Sequence, residues 1–88
     1  MDAYSAGVAP FPLLLATEGE RVRVVAMQGG RGMDRKLGDL GLVVGSELTV
    51  VRHDSDGPMV IARDDLRLAL GIGIAHRVLV VRVEDSEK

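Results

Sequence analysis

Hydrophobic and polar residues alternate over five short stretches of the chain, a pattern typical of half-buried β-strands. In the first stretch, RVRVVAM, Val22 and Val24 alternate with arginines. The predicted strands are residues 21–27, 46–53, 59–63, 66–70 and 77–83. Turn-forming sequences lie between them, such as DSDGP before the third strand, and TEGE precedes the first. Short strands at this spacing predict an all-β barrel or sandwich, and closure into a small barrel would remove exposed edges.

Between the first two strands, the glycine-rich sequence QGGRG predicts a loop over residues 28–32, followed by a short helix over residues 33–40. Apolar residues recur there at positions i, i+4 and i+7, which places them on one helical face. They are Met33, Leu37 and Leu40. Gly41 fits the position just after a helix, where a positive φ is usual. Gly38, inside the helix, costs roughly 1 kcal/mol relative to alanine.

A chain of 88 residues with 2% aromatic content makes one small domain whose core consists of aliphatic residues and methionine. Alternation and helical spacing predict which side chains point inward. They are Val22, Val24, Leu37, Leu40, Leu48, Val50, Ile61, Leu68, Leu70, Val78 and Val80. Residues 1–12 are expected to form a flexible lead-in, residues 13–83 the barrel, and residues 84–88 an acidic tail.

Charge and composition exclude several functional classes. The formal net charge is −2, whereas nucleic-acid binders present a basic surface. The chain contains no cysteine, which excludes disulfides and thiolate metal sites and suits a reducing compartment. The start of the sequence lacks the pattern of an export signal, and no stretch approaches the ~20 apolar residues that span a bilayer. We therefore expect a protein that does not itself insert into membranes, although a partner could recruit a cytoplasmic protein of this kind to the inner membrane. The sequence leaves a homodimer open.

The sequence offers no catalytic constellation. Its serines lie in tails and turns, and its carboxylates are scattered without a pair that spacing would hold together. The glycine loops QGGRG and GIGIAH lack the residues that complete phosphate-binding and dinucleotide-binding motifs. We therefore predict that the protein is not an enzyme and requires no cofactor.

Candidate metal ligands lie mainly in the turn RHDSDG. They are His53, Asp54 and Asp56, with His76 as a distant fourth. The turn resembles part of a calcium loop, but Arg52 and Arg63 stand where the first and last ligands belong. Two histidines far apart in sequence are more typical of ordinary surface positions. A divalent ion such as iron or zinc, held by these residues, stays an alternative.

Basic residues cluster around the predicted helix. The candidate partner-binding residues are Arg31, Met33, Arg35, Lys36 and Leu37. In a chain of net charge −2, this segment forms a local field of opposite sign that would attract an acidic partner. The simpler interpretation is a solvated basic face above core methionines.

The order L-x-x-L-G-L-x-x-G before a Val-rich strand resembles the FeoA family. Here it comprises Leu37, Leu40, Gly41, Leu42 and Gly45. Further family features follow the same order as LLLATEGERVRVVAM, QGGRG, GPMVIA, LRLAL and IAHRVLVV. The resemblance covers about residues 13–83, although Gly38 departs from the helix-favouring residue usual in the family.

This resemblance implies a small SH3-like β-barrel of about five strands with one or two short helices. It also implies a cytoplasmic accessory or regulatory protein of ferrous iron uptake. Its partner would be the cytoplasmic part of FeoB, an inner-membrane transporter with a GTPase domain. A similar module ends the metal-dependent repressors, but we expect no DNA-binding half here, so a repressor is the less favoured interpretation. The alternative is a small metal-binding carrier or sensor.

Overall fold

Six strands and two helices make up the part of the chain described by the computed structural model, residues 9–54 and 56–83. The strands are β1 (Phe11–Pro12), β2 (Arg21–Met27), β3 (Glu47–His53), β4 (Met59–Arg63), β5 (Leu66–Leu70) and β6 (Val78–Arg82). The helices are α1 (Gly30–Asp39) and α2 (Ile72–Arg77), and Leu13–Leu15 form a 3₁₀ turn. The strands make one antiparallel sheet in the order β1-β6-β2-β3-β4-β5.

The strands predicted from alternation are all present, and β2, β4 and β5 have the predicted bounds. The sixth strand is the difference: Phe11 and Pro12 pair with Val80 and Leu79 of β6, although they were expected in the lead-in. Proline lacks an N–H to donate, so an edge position suits it. The rest of the lead-in up to residue 8 and the tail, residues 84–88, lie outside the described residues.

Two irregularities in strand pairing bend the sheet. Val25 is an extra residue in β2, because Val24 and Ala26 face consecutive residues of β6. Val51 is likewise extra in β3 where it pairs with β4. Such bulges increase local twist and curvature. The curvature lets side chains from β2 to β6 meet in one core, as expected for a small barrel.

The core is aliphatic, as predicted, with two corrections. Its buried residues are Leu13, Ala16, Val22, Val24, Leu37, Leu42, Leu48, Val50, Met59, Ile61, Leu70, Ala75, Val78 and Val80. The prediction that Leu40 points inward is wrong, since 37% of it is exposed. Leu68 is half-buried and packs against the core instead of lying within it.

The end of α1 explains why Leu42 is buried while Leu40 is exposed. The Gly41 N–H donates to the Gly38 carbonyl (2.9 Å), and the Leu42 N–H donates to the Leu37 carbonyl (2.8 Å). With Gly41 at a φ of +85°, this is the Schellman closure of a helix. Leu40 therefore caps the helix outside the barrel, and the chain reverses to place Leu42 beside Leu37 in the core.

Arg82 of β6 contacts both Glu20 and the Phe11 ring of β1. Glu20 accepts a hydrogen bond from the Thr17 N–H (2.8 Å) and another from Arg82 Nε. The Arg82 guanidinium in turn lies 5.2 Å from the centroid of the Phe11 ring. The hydrogen bond from the Thr17 N–H lowers the pKa of the Glu20 carboxyl most, and the hydrogen bond from Arg82 lowers it further. Both contacts favour the charged form of the carboxyl.

We expect Leu42→Ala to lower the free energy of unfolding by about 2–5 kcal/mol, because it deletes a fully buried side chain. Leu40→Ala, at a position that is 37% exposed, should lower it by less than about 1 kcal/mol. Denaturant unfolding of both variants checks the pair. Equal losses would contradict the assigned helix end.

Glu20 should make stability depend on pH. Since folding lowers its pKa, its contribution is complete above the ordinary value of 4.5 and is lost as the pH falls through the folded-state pKa. Thermal melts of wild type and Glu20→Gln should therefore differ most above pH 4.5 and converge as the pH falls through the lowered folded-state pKa. Two melting curves separated by the same interval at every pH would refute this role.

Candidate functional site

Helix α1 lies against one side of the barrel and begins three residues before the predicted start. Gly29 and Gly30, at φ values of +123° and +76°, turn the chain into the helix. Two apolar side chains, Met33 and Leu37, anchor it to the core. Because these anchors fix the first turns, residues of the expected glycine loop become helical as well.

The predicted partner-binding residues divide between surface and core. Arg31, Arg35 and Lys36 are exposed, as the basic cluster suggested. Met33 is half-buried and packs against the core. Leu37 is 0% exposed, so its inclusion in a contact surface is corrected: it supports the helix from below. The exposed side chains among these five predicted residues are therefore basic.

The basic residues of α1 differ from those of the strands in their ionic contacts. On the strands, Arg23 contacts Glu47 (2.8 Å) and Arg52 contacts Asp54 (3.5 Å). Arg31, Arg35 and Lys36 make no side-chain hydrogen bond or ion pair with any described residue. Asp39, the nearest carboxylate after them on the helix, forms no ion pair with Arg35 or Lys36.

Two further arginines, which sequence reasoning missed, lie at the ends of α1. Arg77 Nη1 is 3.5 Å from the point where a Cβ would stand on Gly29, at the start of the helix. Arg63 Nη1 is 3.0 Å from the corresponding point on Gly41, at its end. Only the fold brings these side chains, from α2 and β4, to the helix. A Cβ at either glycine would crowd its neighbours.

A tight turn after α1 exposes two valines. The Ser46 N–H donates to the Val43 carbonyl (2.9 Å), and Ser46 Oγ accepts from the Val43 N–H (3.1 Å). The Gly45 N–H donates to the Val24 carbonyl of β2 (2.8 Å), which fixes the turn on the barrel. Val43 and Val44 are consequently 51% and 59% exposed.

The structure does not bring the candidate metal ligands together. His53 is half-buried at the end of β3, where its backbone N–H donates a hydrogen bond to Glu18 Oε2 (2.8 Å). Asp54 contacts Arg52, and His76 is exposed on α2. Within residues 9–54 and 56–83, no three His, Asp or Glu side chains are placed to hold a metal ion. The assignment of these four residues as metal ligands stays a prediction.

The described residues form no pocket that would enclose a small molecule. Neither helix among them has the length and apolarity needed to cross a membrane. The candidate site considered below is the surface around α1, where exposed basic side chains lack ionic contacts with the described residues.

Glycines 38 and 41 should respond in opposite ways to alanine. Gly38 has a negative φ and open space around its Cβ position, so Gly38→Ala should raise stability by roughly 0.5–1 kcal/mol. Gly41→Ala forces alanine into a positive φ, with its Cβ 3.0 Å from Arg63 Nη1. It should lower the stability by about 1–3 kcal/mol. Denaturant unfolding measures both. A stabilising Gly41→Ala would overturn the assigned helix end.

Comparison with known proteins agrees with this architecture. The FeoA domain family model matches residues 11–82. The "Putative Fe(2+) transport protein A" of Methanocaldococcus jannaschii is 36% identical over 77 residues, which are 88% of this chain and 89% of that protein. The crystal structure of an iron uptake regulatory protein (FeoA) superposes with a TM-score of 0.80 at 32% identity, covering 85% of this chain and all of that one.

A manganese-dependent transcriptional repressor also superposes, with a TM-score of 0.77 at 22% identity. The match covers 86% of this chain but 43% of the repressor, so it shows the fold alone. The expected SH3-like β-barrel is thereby confirmed, with six strands in place of about five. On the family match and the identity to its members, the chain belongs to the FeoA family.

Proposed function

We propose that the protein is a cytoplasmic accessory protein of ferrous iron uptake that binds the cytoplasmic part of a FeoB-type transporter. The names of its relatives, an Fe(2+) transport protein and an iron uptake regulatory protein, support the connection to iron. The transporter as partner is implied by the family resemblance. In this proposal the protein acts by binding and performs no chemistry.

The observation that carries the proposal is the unpaired basic surface of α1. Arg31, Arg35 and Lys36 are exposed and lack ionic partners in the described part of the chain. Surface ion pairs contribute little to stability, so leaving these side chains unpaired costs the fold almost nothing. It leaves their charges available to a partner.

The charges around α1 favour an acidic partner surface. The helix carries three basic residues against two acidic ones, Asp34 and Asp39, and Arg63 and Arg77 at its ends raise the local excess. Complementary charge at the rim of an interface mainly speeds association and does less for the lifetime of the complex. The α1 surface would thus steer the protein onto its partner.

We expect the double substitution Arg35→Glu with Lys36→Glu to leave the protein folded and to slow its association with the cytoplasmic part of the transporter. The rate should fall about tenfold or more at low salt and depend less on ionic strength than in wild type. Stopped-flow or surface-based kinetics at several salt concentrations measure both effects.

The matched control is Arg52→Glu with Arg67→Glu, which changes the net charge equally but on exposed positions of β3 and β5. Its association rate should stay much closer to that of wild type. If the two double variants slow association equally, net charge alone governs the encounter and α1 is not the docking surface.

A further inference from the structure

Arg63 occupies an unusual position for a charged residue. Along β4, Met59 and Ile61 point into the core with 0% exposure, and Arg63 is the next residue on that side. The strand ends at Arg63, so its side chain leaves the core at one end of the barrel. There its guanidinium lies over Gly41, and the residue is half-buried.

Exposed aliphatic residues neighbour Arg63 in the strand register and neighbour Gly41, which Arg63 covers, along the chain. Leu66 stands directly opposite it in the β4–β5 register and is 54% exposed. Leu40, Val43 and Val44 lie within three residues of Gly41, with exposures of 37%, 51% and 59%. We call these four aliphatic residues the apolar rim. Exposed aliphatics that neighbour one charged residue and the glycine it covers are more informative than the same residues scattered singly.

No described residue forms an ion pair or hydrogen bond with the Arg63 side chain. This holds even though Asp64 and Asp65 follow it in the hairpin. An arginine that is partly desolvated, unpaired and bordered by apolar side chains has the character of an interface anchor. Arginine is enriched among the residues that dominate binding energy, and surrounding contacts that exclude water strengthen its ion pairs.

We propose that Arg63 and the apolar rim form the contact that holds the docked complex together. The occupant is a protein surface that presents a carboxylate to Arg63, surrounded by apolar side chains that cover the rim. This inference rests on the proposed function and specifies where the transporter's cytoplasmic part makes its most durable contact. The α1 surface brings the partners together, and Arg63 with the rim keeps them bound.

A protein occupant fits the charges better than an anionic lipid surface does. Asp39, Asp64 and Asp65 lie beside the apolar rim in the chain, and an anionic membrane would repel them. The rim also lacks the tryptophan and tyrosine that favour membrane interfaces. A folded partner can place a single carboxylate opposite Arg63 and leave the aspartates in solvent.

The test is the affinity of the full chain for the transporter's cytoplasmic part, with both kinetic constants measured. Arg63→Gln should weaken binding at least about tenfold, mainly through faster dissociation, because it leaves the partner's carboxylate unpaired. Leu66→Gln and Val44→Gln change exposed rim positions and should each weaken binding about threefold to tenfold. These two variants keep the test valid even if Arg63→Gln destabilises the barrel.

Arg67→Gln is the matched control. It removes the same charge from the same hairpin, but alternation places Arg67 on the opposite side of β5 from Leu66. Its affinity should stay within about twofold of wild type. If Arg63→Gln and both rim variants bind as tightly as Arg67→Gln, the inference is overturned while the proposed function stands.

Other outcomes also decide the matter. Absence of wild-type binding to the cytoplasmic part would overturn both the inference and the proposed function. Phosphatidylglycerol vesicles that bind wild type but not Arg63→Gln would assign the rim to a membrane instead. Self-association in ultracentrifugation that is lost in Arg63→Gln and Leu66→Gln would assign it to a second copy of the chain. Either result would overturn the protein-partner assignment.

Discussion

The left-handed backbone of Gly41 is the constraint on which this barrel end depends. It lets the Leu42 N–H reach back to the Leu37 carbonyl, which ends α1 and sends Leu42 into the core. The same reversal leaves Leu40 outside. Because glycine has no side chain, the Arg63 guanidinium can lie across this point. One residue thus sets the helix length, part of the core and the exposed surface together.

The remaining charges follow a simple division between the sheet and the helix. On the sheet, side chains such as Arg23 and Arg82 contact glutamates on neighbouring elements. Around α1 the basic side chains have no such contacts among the described residues. The core is aliphatic, and the described chain encloses no pocket.

Alternation alone predicted β2, β4 and β5 to the residue, because a half-buried strand repeats with a period of two. It could not reveal the bulges at Val25 and Val51, which depend on how two strands pair. It also could not place Phe11 in the sheet, since a two-residue strand has no pattern of its own. Helical spacing treated Leu40 as a third core contact, although the helix ends one residue earlier at Asp39.

The basic cluster of α1 was visible in the sequence because its members are close together along the chain. Arg63 and Arg77 were not, because they come from β4 and α2 and meet the helix only in the folded structure. This difference also bears on function. The same barrel occurs within a manganese-dependent repressor at 22% identity, so the fold by itself does not select a partner. In the proposed function, selection comes from residues on the barrel surface, and we place it at the side chains that the fold brings to the ends of α1.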